Sequence, residues 1–303
     1  MKQTARLAIL CMAVLSFSGY AHNVTIPKDI NEMSLNKVTD NVYVVHGTRS
    51  MPDKANKGFI SNSGFVVSDE GVVIIDTGGS LQIGEMLLQK ISEVTDKPVI
   101  AVFNTHIHGD HWMGNAAIRN AYPETRIYAH ERAIERLQNC EAEQWLDMFM
   151  QSTDGAIEGT QIVLPDNALK GGESIEAAGN TFRIHHTGKA HTDNDIMIEY
   201  PERKTLFAGD IVIYGSTVSG ARPQDFSATG QIAAVAYALE LPVDIYVPGH
   251  GPTGGREIPE ATKRFLDILY QSVQNYYDEG LADFEMRDQV VADLAEFSDW
   301  SGF

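Results

Sequence analysis

Four side chains able to bind a metal fall within six residues in His106-Ile-His108-Gly-Asp110-His111. They follow the short apolar run Val99 to Phe103, which reads as a buried strand ending in Asn104-Thr105. In extended backbone, residues i and i+2 face the same way, so His106 and His108 can share one ion. A tight turn at Gly109 then lets Asp110 and His111 aim at a second ion. Imidazole and carboxylate without thiolate suit zinc or another divalent first-row metal. A polar loop of surface histidines is the bland alternative, and three later segments weigh against it. Gly188-Lys-Ala-His191-Thr192, Leu206-Phe-Ala-Gly209-Asp210 and Val247-Pro-Gly249-His250-Gly251 each place a further ligand type just past a strand or between glycines. Alone, each is a capping aspartate or a turn histidine. Together, in this order, they form a candidate metal set.

The elements that must position these residues alternate along the whole chain. Val42–Val45, Phe65–Val67 and Val72–Ile75 read as strands, the last two joined by Ser-Asp-Glu-Gly turn chemistry. Asp76-Thr-Gly-Gly ends the third. Ile83, Leu87, Ile91 and Val94 then recur at helical spacing up to Lys97-Pro98. A helix after Asn115, a strand at Arg126–Ala129 and a helix over 131–150 follow. Strands are expected at 161–164, 181–184, 196–200 and 205–208, with a hairpin turn at Pro201-Glu-Arg-Lys204. A helix near 229–240, a strand at Ile245–Val247 and a mostly helical tail to about residue 297 complete the pattern. This predicts one α/β domain with mixed sheets and outer helices. The tail (Phe265, Ile268, Leu269; Val290, Val291, Leu294) reads as packing elements.

Composition bounds the partners. The 303 residues carry 23 basic and 41 acidic groups, a formal net charge of −18. Lys2 and Arg6, the apolar run Leu7 to Leu15, and Gly19-Tyr20-Ala21 form a secretory signal-peptide pattern over residues 1–21, too short for a permanent membrane helix. The expected mature chain, 22–303, is a soluble periplasmic or secreted protein with no stable membrane insertion. Its acidity excludes blanket phosphate neutralisation of nucleic acid and docking on anionic lipid. Only Cys140 remains after removal of Cys11, so no internal disulfide is expected. A small-molecule substrate is the partner this leaves; oligomeric state is open.

The combined motifs resemble the metallo-β-lactamase superfamily. The resemblance rests on VVIIDTG (72–78), THIHGDH (105–111), His191-Thr192, LFAGD (206–210) and VPGHG (247–251), covering roughly residues 40–255. It implies a four-layered αββα sandwich with mixed β-sheets and the site on loops at one edge. It also implies that His106, His108 and His191 bind a first metal, that Asp110, His111 and His250 bind a second, and that Asp210 bridges them. Two Zn²⁺ per chain are expected, with iron or manganese as alternatives. Asp110 is the candidate catalytic residue, orienting a metal-activated water and relaying a proton. Asp76, Thr192 and Asp195 are candidates for fixing the ligands or the turns around them.

The implied activity is hydrolysis of a carbonyl-type substrate: a β-lactam, lactone, ester or thioester. Asp210 stands where one β-lactamase group has cysteine, and it resembles hydroxyacylglutathione hydrolases and lactonases. Export and the segment 192–210 resemble β-lactamases instead. A mononuclear-iron persulfide dioxygenase and a non-catalytic metal binder are the alternatives. His22, His46, His130, His185 and His186 read as solvated or core histidines, although His185 and His186 lie close to His191. Thr48–Phe59 is a candidate flap with exposed apolar tips. Trp112, Trp145, Met148 and Phe149 are candidates for an apolar wall, and Tyr214 for an oxyanion donor.

Overall fold

A computed structural model describes residues 30, 33–217, 222 and 224–303 of the chain; the candidate signal peptide and His22 lie outside them. The first sheet contains β1 (Leu35–Lys37), β2 (Val42–Val45), β3 (Ser63–Val67), β4 (Val72–Ile75), β5 (Val99–Phe103), β6 (Arg126–His130) and β7 (Asn167–Leu169), in that spatial order. It is antiparallel from β1 to β4 and parallel from β4 to β7. The second sheet runs β12 (Ile245–His250), β11 (Thr205–Ile213), β10 (Met197–Tyr200), β9 (Asn180–His185), β8 (Ser174–Ala177). Only its β11–β12 pair is parallel. The continuous apolar runs of β4 and β5 are what strands covered on both faces require.

The helices are α1 (Leu81–Ser92), α2 (Gly109–Trp112), α3 (Asn115–Ala121), α4 (Glu131–Arg136), α5 (Ala142–Ser152), α6 (Ala228–Glu240), α7 (Glu257–Asp278) and α8 (Asp283–Asp293). Ser80 caps α1 by accepting from the Ile83 N–H at 3.3 Å, and Ile83, Leu87 and Ile91 form its buried stripe. That stripe packs with Phe65, Ile74 and Val102 on the outer face of the first sheet. Between the sheets lie Val44, Val73, Phe103, Phe182, Ile198 and Phe207. Leu206, Ala208 and Tyr246 on the far face of the second sheet meet Ala234, Val235, Phe265 and Leu266 of α6 and α7. Helix, sheet, sheet and helix therefore stack as four layers, the αββα arrangement expected.

Three local expectations need correction. Residues 161–164 make no strand; the seventh position in the first sheet goes to β7, led in by the Asp166 N–H donating to the Ile127 carbonyl at 3.0 Å. The helix expected over 131–150 is broken between α4 and α5, where Asn139 leaves helical geometry and Cys140 has φ +73°. The helix expected to run toward Lys97 ends at Ser92. The hairpin turn after β10 does form, with Lys204 left-handed at φ +46°. Among the described residues, no helix is long and apolar enough to cross a membrane.

Buried His46 on the loop after β2 contacts Asn36 and Thr253, tying β1 to the segment after β12. Burial lowers its pKa from 6.5 to about 4. The unfolded chain therefore binds the extra proton between these values, so this contribution to stability is complete above about pH 6.5 and fades as pH falls through about 4. Between about pH 7.5 and about pH 5 it amounts to about 2 kcal/mol. Denaturant unfolding at both pH values should show His46→Gln losing less stability on acidification than the parent by about that amount; equal losses would contradict the assignment.

Candidate metal centre

Two strands, two loops and one short helix deliver the seven candidate ligands to one place. His106 follows β5, His108 precedes α2, and Asp110 and His111 lie in α2. His191 sits on the loop between β9 and β10, Asp210 within β11, and His250 ends β12. Two groups result, one of His106, His108, His191 and Asp210, the other of Asp110, His111 and His250. Within each, the ligand atoms lie inside 4.8 Å of one another. Asp210 touches both. Its Oδ2 lies 3.3 Å from Nε2 of His191 and 3.3 Å from Nε2 of His250, while its Oδ1 lies 3.3 Å from Nε2 of His111. Asp110 Oδ2 is 3.3 Å from Nε2 of both His111 and His250.

The buried polar atoms fit divalent cations. His106 Nε2, His111 Nε2 and Asp210 Oδ1 are buried and have no hydrogen-bond partner among the described residues, and the same holds for the outer nitrogens His108 Nε2 and His191 Nδ1. The facing nitrogens, His108 Nδ1 and His191 Nε2, stand 3.0 Å apart. Leaving one such group unmet costs about 1–3 kcal/mol. A cluster of them at one point is what a coordinated cation would satisfy, and a donor set of imidazole and carboxylate suits zinc, iron or manganese.

Outer partners set which nitrogen each ring presents. His111 Nδ1 lies 2.7 Å from Asp76 Oδ2, leaving Nε2 turned inward. His250 Nδ1 donates to the Ile60 carbonyl at 2.8 Å, and His106 Nδ1 lies 3.1 Å from the Thr105 hydroxyl. Asp195 accepts from the Thr192 N–H and hydroxyl, both at 2.7 Å, closing the turn behind His191. Gln231 Nε2 donates to the Asp210 carbonyl at 2.8 Å. β11 breaks register at Gly209, whose φ is +51°, and this bulge redirects Asp210. Gly249 is required by proximity, because a Cβ there would collide with Asp210 Oδ1.

Opposite charges face one another inside this buried site. Burial pushes the Asp110 and Asp210 carboxyls up, but the facing imidazoles, His111 for Asp110 and His250 and His111 for Asp210, overcome it and hold both well below the usual carboxylate range. Burial pushes His111 and His250 down, and the carboxylates reverse that, taking His250 to about 10. Burial and neighbouring rings keep His106 and His108 far below 6.5. Those two rings are neutral at ordinary pH, the form that can ligate.

Other residues singled out in the sequence separate into those near the cluster and those elsewhere. His185 pairs with Glu199 at 2.9 Å, and His186 contacts the Asp195 carbonyl and packs at a tilt against His130; neither joins the candidate ligands. The Trp145 ring packs against His108 at 4.8 Å, whereas Trp112 is core and donates to the Ile107 carbonyl. Phe149 is core, and Met148 is exposed. In the candidate flap, Met51 is exposed, but Phe59 is buried and its carbonyl accepts from the Thr48 N–H. Tyr214 packs its ring on Trp300. Sequence reasoning missed Asn62, whose Nδ2 donates to the Pro248 and Gly251 carbonyls, and Ser61, which donates to the Asp110 carbonyl. It also missed Asn194 and Gln231. Their partners lie far along the chain, so no local pattern marks them.

A sequence model described as the metallo-beta-lactamase superfamily matches residues 56–250. The linear primary-alkylsulfatase of Pseudomonas sp. (strain ATCC 19151) is 22% identical over 260 residues, covering 74% of this chain and 49% of that protein. The hydroxyacylglutathione hydrolase of Synechococcus sp. (strain JA-2-3B'a(2-13)) is 29% identical over 133 residues, 44% of this chain and 42% of that protein. The chain thus spans about half the length of these curated relatives. Among solved structures, the metallo-beta-lactamase from Pontibacter korlensis superposes with a TM-score of 0.61 at 20% identity, over 78% of this chain and 99% of that one. This last likeness concerns the fold.

Asp76 gives the sharpest test of the outer partners. Its two oxygens face three donors: the Thr105 N–H, the Thr105 hydroxyl and His111 Nδ1. In Asp76→Asn, an amide nitrogen must face at least one donor, while the left-handed backbone (φ +59°) remains accessible to asparagine. Competition against a chromogenic chelator should show metal affinity reduced about 10- to 100-fold. Undiminished affinity would mean that Asp76 does not orient His111.

Proposed function

The chain belongs to the metallo-β-lactamase superfamily, and from that premise we propose that it is an exported dizinc hydrolase. Its substrate would be carbonyl-type: a β-lactam, lactone, ester or thioester. The observation that carries this reading is the position of Asp210, within 3.3 Å of imidazole nitrogens belonging to both ligand groups. Such a carboxylate suits a two-metal site better than a single ion with spare neighbours. Two bound cations would supply a water of pKa lowered from about 15.7 toward about 7, together with Lewis acidity toward an acyl oxygen.

The chain's own residues then have separable tasks. His106, His108 and His191 would hold the first cation, and Asp110, His111 and His250 the second, with Asp210 shared. Asp110 Oδ2 sits between His111 and His250 on the second group, where a carboxylate can orient a nucleophilic water and pass its proton to the leaving group. Asp76, Thr105 and the Ile60 carbonyl hold ring orientation, so that little reorganisation accompanies the reaction. No serine or cysteine nucleophile is required, and Cys140 lies exposed on the break between α4 and α5. The signal-peptide pattern of residues 1–21 supports export to the periplasm or beyond.

Metal analysis and a substrate panel test this together. The protein purified from zinc-supplemented medium should hold close to two zinc ions per chain; one iron and no zinc would favour the dioxygenase alternative. The panel comprises a chromogenic cephalosporin, a glutathione thioester, an acyl lactone and an aryl ester, with an alkyl sulfate added because of the sulfatase relative. Turnover of a carbonyl compound supports the proposal, and turnover of the sulfate alone contradicts it. His108→Ala should lower turnover by more than about 100-fold, since even outer partners of a ligand are worth about 10- to 100-fold.

A further inference from the structure

Outside the ligand set, one guanidinium reaches three of the segments that shape it. Arg136, the last residue of α4, places Nε 2.7 Å from Oε1 and Nη2 2.9 Å from Oε2 of Glu141, a bidentate pair. Its Nη1 donates to Asp193 Oδ1 at 2.8 Å, and its Nη2 also lies 2.8 Å from Asp225 Oδ1. Three carboxylates from separate stretches of chain thus converge on one planar fork, a geometry that lysine cannot reproduce.

Each of the three leads toward the cluster. Asp193 follows His191 by two residues. Its neighbour Asn194 accepts the N–H of Ile107 at 3.0 Å, midway between His106 and His108. Two residues further, the Ile196 N–H donates to the Thr105 carbonyl at 2.8 Å. Asp225 begins the approach to α6, where the Ser227 N–H donates to the Ala190 carbonyl at 2.8 Å and Gln231 holds the Asp210 carbonyl. Glu141 precedes α5, which carries Trp145 against His108. Neighbouring arginines are weaker substitutes: Arg132 meets Asp193 at 3.2 Å from an exposed side chain, and Arg222 meets Glu141 at 3.4 Å and Asp225 at 4.0 Å.

We propose that Arg136 is a positioning residue for the metal centre. It clamps the 190–196 loop to the starts of α5 and α6 and so fixes where His191 stands relative to His106 and His108. The proposal rests on the dizinc reading above and assigns the clamp a role in metal affinity, beyond general stability.

The test uses the full chain with Zn²⁺ and with Co²⁺ as a spectroscopic probe. Arg136→Met keeps the apolar stem and removes every donor. Competition against a chromogenic chelator should show its Zn²⁺ affinity reduced about 10-fold or more, in the range of outer-partner losses. The visible spectrum of the Co²⁺ form should change with it. Arg136→Lys should recover only part of the affinity. Asp193→Asn, which removes a single acceptor, should weaken binding in the same direction, and the double variant should lose little more than Arg136→Met alone. Arg119→Met breaks a 2.7 Å pair with Asp166 elsewhere on the molecule and should leave Zn²⁺ affinity unchanged. If Arg136→Met fails to fold, Asp193→Asn decides the matter. Affinity within two-fold of the parent in Arg136→Met or in Asp193→Asn, or an equal loss in Arg119→Met, overturns the clamp. A parent chain that binds no metal overturns the underlying reading instead.

Discussion

The unmet coordination of buried imidazoles is the constraint on which the rest of this structure depends. Five histidine rings and two carboxylates meet where water is largely excluded, and several of their inward atoms find no hydrogen-bond partner among the described residues. A hydrophobic core of the same volume would tolerate none of this. The arrangement is coherent if cations complete it, and the scaffold is built accordingly. The two sheets bring candidate ligands to the same edge: His106 after β5 of the first sheet, and Asp210 within β11 and His250 at the end of β12 of the second.

Positioning these candidate ligands takes support that packing alone does not give. The register break at Gly209 turns Asp210, the bare backbone at Gly249 makes room for its oxygen, and Gln231 holds its carbonyl. Asp76 and the Ile60 carbonyl each take one nitrogen of a ring and leave the other free. Arg136 extends the same logic one layer outward, through carboxylates that themselves touch no ligand ring. Rigid apolar layers above and below keep these contacts from relaxing.

Much of the fold, and the set of candidate ligands that the structure brings together, was legible in the sequence because the signals are local. Valine and isoleucine runs marked β4 and β5, and short motifs just past a strand or between glycines marked every candidate ligand. The break at Asn139 and Cys140 was not legible, since residues 131–150 keep helical periodicity and a cysteine gives no sign of positive φ. Residues 161–164 have strand-like composition but pair with no strand among the described residues. The supports around the site are long-range: Asn62 reaches Gly251 and Asn194 reaches Ile107, contacts that appear only when both sheets are assembled.

Diffraction from crystals of the zinc-loaded protein, collected on both sides of the zinc absorption edge, would locate the metals relative to Asp210. Two anomalous peaks are expected on either side of its carboxylate, about 3.5–4 Å apart as in other two-metal sites. One peak would lie among His106, His108 and His191, and the other among Asp110, His111 and His250. A single peak at saturating zinc, or two peaks with Asp210 touching only one, would contradict the dizinc reading.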